Sequence, residues 1–287
     1  MKHIITLSGD IGSGKSSVAT ELQQLTAYGI IGTGKIQRAI AERRGMTTLE
    51  LNKISATDRS VDDEIDNFVL ETGKTQDHLI IDSRLAWYFI PAAFKVYLSV
   101  DAMIGAERVF NAGRSDEHNP SLEATLQNNL KRQTYEDQRF YKLYDVHFRH
   151  YHNYDLIVDT SYCAPATIAR KIVECFEQRN QGAAFPELWL DPRRLMPTQD
   201  LTSAATEHAE AGVDFGPPIS VFVYDGLIYI VEGHHKTLAA RKAGLELIPA
   251  HLMTEDASHP RGPFGKLADA VSPSMRQAWD AAMGAKG

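Results

Sequence analysis

The sequence predicts an α/β fold, a five-stranded parallel sheet with helices on both faces, followed by a small α+β domain. Three observations predict it. The apolar run Ile4-Ile5-Thr6-Leu7 leads directly into a glycine-rich octet, Gly9 to Ser16, after which Val18, Leu22 and Leu25 recur at helical spacing. Short apolar runs then alternate with helical stretches as far as about residue 180, the pattern of crossover connections that cover both faces of a parallel sheet. Beyond Asn180-Gln181-Gly182-Ala183-Ala184 the periodicity lapses, and an Asp225-Gly226 turn between two β-rich runs signals a hairpin in a domain of different character.

Taken in order, the first strand and its helix are followed by a short strand at Tyr28 to Ile31 and a helix from about Lys35 to Arg43. A helical stretch around Val61, Ile65, Phe68 and Val69 precedes the strand Leu79-Ile80-Ile81-Asp82. Phe94 to Val100 forms the next strand, helices run to about Leu143, and Leu156-Ile157-Val158 makes the fifth strand. Pro165 suits the first turn of the following helix, whose buried stripe is Ile168, Ile172, Val173 and Phe176. In the second domain, Ile219 to Tyr224 and Leu227 to Val231 pair as the hairpin. A helix starts near His235 and stops at Gly244, and Leu247 to Leu252 is expected at a sheet edge because Pro249 cannot donate to a ladder. The expected domains are residues 1–180, 186–254 and a tail at 255–287 with one helix over Pro273 to Met283.

Composition bounds the chemistry. With 287 residues, 43% hydrophobic and 23% charged, the chain can bury two cores. The formal charge of −7 disfavours a broad face for duplex DNA and favours free small molecules. Cys163 and Cys175 lack disulfide or metal-ligand spacing, which fits a reducing cytoplasm. Apolar stretches fall short of the roughly 18 residues that a membrane span needs.

The octet Gly9-Asp10-Ile11-Gly12-Ser13-Gly14-Lys15-Ser16 is the phosphate loop G-x-x-x-x-G-K-[ST], in the strand-to-helix context its mechanism requires. Backbone N–H groups of Gly9, Gly12, Ser13 and Gly14, with Ser16 and Ser17 at the helix start, cradle a triphosphate at the positive end of the helix dipole. Lys15 reaches the β- and γ-phosphates of ATP, and Ser16 holds Mg²⁺. A guanine-reading Asn-Lys-x-Asp is missing, and Asp82 is followed by Ser83 rather than a water-activating Glu. Transfer to an acceptor is therefore favoured over hydrolysis. Arg38, Arg84, Arg108, Arg114, Arg132 and Arg139 fall on loops and helices expected at the carboxyl edge of the sheet, where ligands bind in open α/β folds. Arginine suits a second phosphate because its planar fork grips oxyanions bidentately.

The segment Gly32-Thr33-Gly34-Lys35-Ile36-Gln37-Arg38-Ala39-Ile40-Ala41 resembles the acceptor-binding segment of cytidylate kinases. The short archaeal-type members are echoed in Arg44-Gly45-Met46, Asp63 to Asp66, Leu79 to Leu85, Phe94 to Leu98, Ala106-Glu107-Arg108, Arg139 to Lys142 and Tyr154 to Ser161. The resemblance covers nearly the whole first domain and implies an adenylate-kinase-like fold. It places Thr33, Gly34, Arg38, Asp82 and Arg84 on the acceptor, Lys15, Arg84, Arg132 and Arg139 in catalysis, and Arg108 and Arg114 at a lid. Asp82 either touches Mg²⁺ with Ser16 or holds Arg84. The implied activity is γ-phosphoryl transfer from ATP to a nucleoside monophosphate. Ser83 stands where the family usually has glycine, which leaves open a modified nucleotide, a base in DNA or a small hydroxyl compound such as serine.

Glu232-Gly233-His234-His235-Lys236 lies between a strand and a helix and reads as a second anion site. Over most of residues 186–254 the text resembles the ParB/sulfiredoxin-like superfamily, whose corresponding loop binds phosphate of a nucleotide or nucleic acid. His234 occupies the place of the sulfiredoxin cysteine, so sulfinic acid reduction is excluded for want of a sulfur nucleophile. Regulation of the kinase by this domain, through a nucleotide or DNA, is the competing reading.

Overall fold

The computed structural model describes residues 2–46, 50, 51, 54, 59–112, 119–199, 216–224, 226–254 and 263–284. The chain divides into two compact units, Met1–Leu156 with Ala164–Ala183, and Ile157–Cys163 with Ala184–Gly287.

The first unit is built on β1 (Ile4–Gly9), β2 (Gly29–Gly32), β3 (Leu79–Asp82) and β4 (Phe94–Ser99), in spatial order β2-β3-β1-β4 with every neighbour parallel. All six residues of β1 are buried, as expected for a central parallel strand covered on both faces. Its register sets Leu7 opposite Asp82 and Gly9 opposite Leu98. The turns leaving β1, β3 and β4 therefore open along one edge.

Seven helices complete the described part of this unit: α1 (Lys15–Thr26), α2 (Thr33–Arg43), α3 (Ser60–Thr75), α4 (Ala86–Phe89), α5 (Ala102–Asn111), α6 (Leu122–Tyr144) and α7 (Pro165–Asn180). Their ends follow local chemistry. Asp101 accepts from the Met103 and Ile104 amides to start α5, Ser121 accepts from Ala124 to start α6, and Pro165 opens α7. One face of the sheet packs Ile4, Ile31 and Ile81 against Ile36 and Ile40 of α2. Helix α1 packs on α7, where Val18, Leu22, Ile168 and Ile172 are buried.

The second unit contains β5 (Leu156–Asp159, from Ile157 onward), β6 (Leu188–Leu190), β7 (Leu195–Met196), β8 (Ile219–Tyr224), β9 (Leu227–Glu232) and β10 (Ile248–Thr254). They lie in the order β5-β6-β10-β8-β9-β7, with parallel and antiparallel pairs alternating. Helices α8 (His234–Lys242), α9 (Pro263–Asp269) and α10 (Pro273–Ala282) accompany them.

Several expectations change. From Ile157 the strand Leu156-Ile157-Val158 groups with the second unit, where it runs parallel to β6. Strand β10 is flanked by β6 and β8 rather than lying at an edge. Pro249 is tolerated because the β8 ladder begins one residue later, at Ala250 opposite Ile219. The tail is part of the second unit, because Trp279 of α10 is 1% exposed and donates through Nε1 to the Leu195 carbonyl at 2.8 Å. The β8–β9 hairpin forms with Tyr224 opposite Leu227, while Asp225 of its turn lies outside the described residues.

Candidate active site

The loop after β1 is held open by glycine and by one aspartate. Gly9, Gly12 and Gly14 have φ of 149°, 83° and 77°, a region that side chains with a Cβ disfavour. A Cβ on Gly12 would stand 2.3 Å from the Gly105 carbonyl oxygen, and one on Gly105 would stand 2.6 Å from the Ile11 carbonyl oxygen. The loop thus rests backbone to backbone on α5, and Arg108, one turn further along, donates through Nη1 to the Gly12 carbonyl at 3.3 Å.

Asp10 uses both carboxylate oxygens as anchors. Oδ1 accepts from the Tyr97 hydroxyl at 2.7 Å and Oδ2 from the Val100 amide at 3.0 Å, tying the loop to the end of β4. Burial pushes the Tyr97 hydroxyl well above its usual range, so it remains a donor. Sequence reasoning missed this clamp, since a carboxylate in the octet signals nothing until β4 is beside it.

Lys15 lies over the loop, donating to the Gly9 and Asp10 carbonyls at 3.1 Å each. Burial, and after it the neighbouring Arg84, push its ammonium down to about 8. Ser13 is 1% exposed, and its Oγ has no hydrogen-bond partner among the described residues. A buried hydroxyl left open beside a lysine and several loop amides fits phosphate oxygens as acceptors. Ser16 and Ser17 are exposed in the first turn of α1. Ser16 Oγ donates to Asp82 Oδ2 at 3.3 Å, so one hydroxyl and one carboxylate, both hard oxygen donors, are available to a cation. Groups of three or more His, Cys, Asp or Glu suited to a metal do not occur among the described residues.

The linkage sign for Lys15 follows from its depressed value. A bound polyphosphate stabilises the ammonium and raises its pKa, so above about pH 8 nucleotide binding takes up a proton. Affinity is expected to hold below about pH 8 and to fall as pH rises beyond it. Calorimetry at about pH 9 in buffers of different ionisation enthalpy checks this, and zero uptake there contradicts it.

The acceptor side is assembled from β3, α2, α3 and α6. Thr33 Oγ1 donates to the Asp82 carbonyl at 3.2 Å, fixing the start of α2, where Gly34 also lies. Ser8 Oγ donates to the carbonyls of Ser83 at 3.3 Å and Arg84 at 3.0 Å, pinning the loop that carries Arg84. Arg84 faces Glu136 of α6, which Arg132 also contacts. Glu136 was not anticipated, because only folding brings α6 over the loop after β3. Arg139 pairs with Asp62 and Tyr144 with Asp66, linking α6 to α3. Burial raises the Asp66 carboxyl to about 6 although the Tyr144 hydrogen bond opposes it. Arg38 is exposed on α2, and Arg114 lies outside the described residues. Of the expected set, then, Lys15, Ser16, Asp82, Arg84 and Arg132 converge, while Arg139 is committed to α3.

In the second unit His234 turns inward, contrary to the expected phosphate contact. It is 2% exposed, its Nε2 accepts the Thr198 amide at 3.0 Å, and its Nδ1 lies 2.8 Å from the Gln199 side-chain amide. The Gln199 atom at Nδ1 is the side-chain nitrogen Nε2, so each ring nitrogen has a protein partner. Burial, and then His235, hold the ring down to about 4. Neither ring nitrogen is open to an anion. His235 and Glu232 are exposed, and Lys236 donates to the Pro217 carbonyl at 3.0 Å. Gly233 has φ of 110°, and a Cβ there would meet Ile219 Cγ2 at 2.4 Å.

A parallel sheet whose first strand feeds a glycine cradle, lysine and serine into a helix defines a nucleotide-binding P-loop phosphotransferase site. The profile described as AAA domain matches residues 5–136. Cytidylate kinases of Methanocella arvoryzae and Haloarcula marismortui are 34% identical over 158 and 160 residues, which is 55% of this chain in each case and 87% and 81% of theirs. The chain belongs to the P-loop kinase family that includes these cytidylate kinases. A protein of Lacinutrix mariniflava named S-adenosylmethionine-dependent nucleotide dehydratase is 35% identical over 190 residues, 66% of this chain, and the matched region spans only 39% of that relative. Among solved structures, the shikimate kinase of Bacteroides thetaiotaomicron covers 63% of this chain and 99% of its own, at 13% identity and a TM-score of 0.46. Among the described residues, no helix is long and apolar enough to cross a membrane.

Proposed function

We propose that this chain transfers the γ-phosphoryl group of ATP to a nucleotide that already carries a phosphate, either a cytidylate-type monophosphate or a modified relative. The observation that carries this reading is the position of Arg84, on the loop after β3, beside Asp82 and within electrostatic reach of Lys15. Donor and acceptor are both anions, and a permanently charged fork facing the phosphate cradle offsets their repulsion. A phosphate monoester has its second pKa near about 6, so it is already a dianion and needs no base. Catalysis then rests on positioning and charge stabilisation. Mg²⁺ fits the Ser16 and Asp82 oxygens, and when bound it supplies neutralising charge at the phosphates. Arg132 is assigned to the transferring group, Arg139 and Arg108 to its surroundings, and Thr33, Gly34 and Arg38 to the acceptor. Ser83 and the likeness to part of a nucleotide dehydratase support a modified nucleotide as acceptor.

A second reading, phosphorylation of a small hydroxyl compound, is favoured by the carboxylates of Asp82 and Glu136 at the same place, either of which can accept a hydroxyl proton. A transfer screen with labelled ATP over ribo- and deoxyribonucleoside monophosphates, modified nucleotides, nucleosides, serine and short DNA separates the two. We expect one anionic nucleotide to dominate, and Arg84→Ala to reduce its turnover by about 100-fold or more. A neutral acceptor that dominates and is indifferent to Arg84 would replace the nucleotide reading with the hydroxyl one.

For the second unit we infer a ParB/sulfiredoxin-like phosphate-binding role carried by Gly233, His235 and Lys236 at the start of α8, with Glu232 beside them and His234 as their support. The acidic chain favours a free nucleotide over DNA there. Retention of short DNA by the full chain at low salt, measured by filter binding, is the outcome against it.

A further inference from the structure

The charges around Lys15 do not match those of an ordinary surface ion-pair network. Lys15, Arg84 and Arg132 supply three cations, and Asp82 and Glu136 face them, Asp10 being committed to Tyr97 and Val100. Glu136 stands out among these groups. It is 18% exposed, is carried on α6, and its two oxygens engage two arginines from different parts of the chain. Oε1 accepts an aligned hydrogen bond from Arg132 Nε at 3.1 Å, four residues back on the same helix. Oε2 lies 2.8 Å from Arg84 Nε, yet neither of these two buried atoms has a hydrogen bond of acceptable geometry. The ion pair is close but misaligned. It also uses the side of the guanidinium, so the two terminal nitrogens of Arg84, the prongs that suit a phosphate, hold no protein acceptor among the described residues.

An arginine three-quarters buried needs an anion nearby, because leaving such a charge unpaired costs several kcal/mol. Before any substrate arrives the chain itself must provide that anion. A carboxylate in poor geometry meets the need while binding less firmly than a bidentate oxyanion would.

Resting on the phosphotransferase reading above, we propose that Glu136 is a place-holding anion, which neutralises Arg84 from its Nε side in the empty site and opposes, as a like charge, the substrate phosphate that takes the open fork. Glu136 is thereby a positioning residue. It keeps Arg84 pointed at the transfer site, sets the affinity threshold for the incoming oxyanion, and couples acceptor binding to α6, the helix that Arg139 and Tyr144 tie to α3. A merely structural ion pair predicts the opposite response to its removal, since loss of the carboxylate would leave Arg84 disordered and weaken oxyanion binding.

The test titrates inorganic phosphate into the full chain by calorimetry, with the P-loop saturated by a nonhydrolysable ATP analogue and Mg²⁺. Glu136→Gln is expected to bind phosphate about 10-fold more tightly than the wild type, because a like charge in contact with the site has been removed. Arg84→Ala placed in the same background is expected to abolish the gain. Unchanged or weaker phosphate binding by a folded Glu136→Gln overturns the proposal, as does a gain that survives Arg84→Ala. Should Glu136→Gln fail to fold, Glu136→Asp, which keeps the charge but withdraws it by one methylene, reads the same competition: a smaller gain supports the proposal and no gain overturns it. Failure of the phosphotransferase reading shows separately, as absence of transfer to any acceptor by the wild-type chain in the labelled-ATP screen.

Discussion

Gly105→Ala is expected to cost at least about 100-fold in nucleotide affinity, although residue 105 lies outside the phosphate loop and touches no phosphate. The added methyl would sit 2.6 Å from the Ile11 carbonyl oxygen and 3.1 Å from Val100 Cγ1. Non-bonded heavy atoms settle near ~3.5 Å, and a carbonyl of the main chain cannot swing aside as a side chain can. Either α5 or the loop has to move. Moving the loop spreads the amides that converge on the triphosphate, and it strains the Asp10 anchors on Tyr97 and Val100. Overpacking of this kind costs about 1–3 kcal/mol of stability, so the fold is expected to persist. Paired measurements of nucleotide affinity and melting temperature distinguish the two effects. Wild-type affinity in the variant would show that the loop does not depend on α5 for its shape.

Lys15→Ala is expected to lower turnover by about 1,000-fold, in the range found when a preorganised donor is removed from a developing charge. The effect is larger than a surface lysine could give, because Lys15 is desolvated and its ammonium already lies at about 8. A charge held so reluctantly is stabilised most by the group it is meant to bind. Folding should be little affected, since the substitution removes a buried cation together with its two bonds to the Gly9 and Asp10 carbonyls. Single-turnover assays on a folded variant check the prediction, and retained transfer would show that the chemistry lies elsewhere in the chain.

The first unit was largely legible because its signals are local. The order of strands and helices around the phosphate loop follows from hydrophobic period and from turn chemistry within a few residues, and the observed β1, α1, β3 and β4 fall where those signals place them. The arginines were legible as a class. Which of them converge was not, because Arg84 and Arg132 meet through Glu136, 52 and 4 residues away in the chain respectively. Pro249 misled for a related reason. A missing donor excludes a strand from a ladder only where that ladder needs it, and the partner strand begins one residue later.

His234 illustrates the same limit. Its place between a glycine and a helix start reads as an anion contact, but Thr198, Gln199 and Trp279, which occupy its two nitrogens and pack on its ring, come from both sides along the chain. By itself the amino-acid sequence determined a glycine cradle with Lys15 and Ser16 suited to a triphosphate, since eight consecutive residues build that cradle. Tertiary structure alone decided what surrounds it: the aspartate that anchors the loop, the glycine of α5 on which it rests, and the carboxylate that holds Arg84. The physical reason is that backbone conformation and helix dipoles arise among neighbours in sequence, whereas desolvation, charge pairing and steric contact depend on which distant residues are brought within a few ångströms.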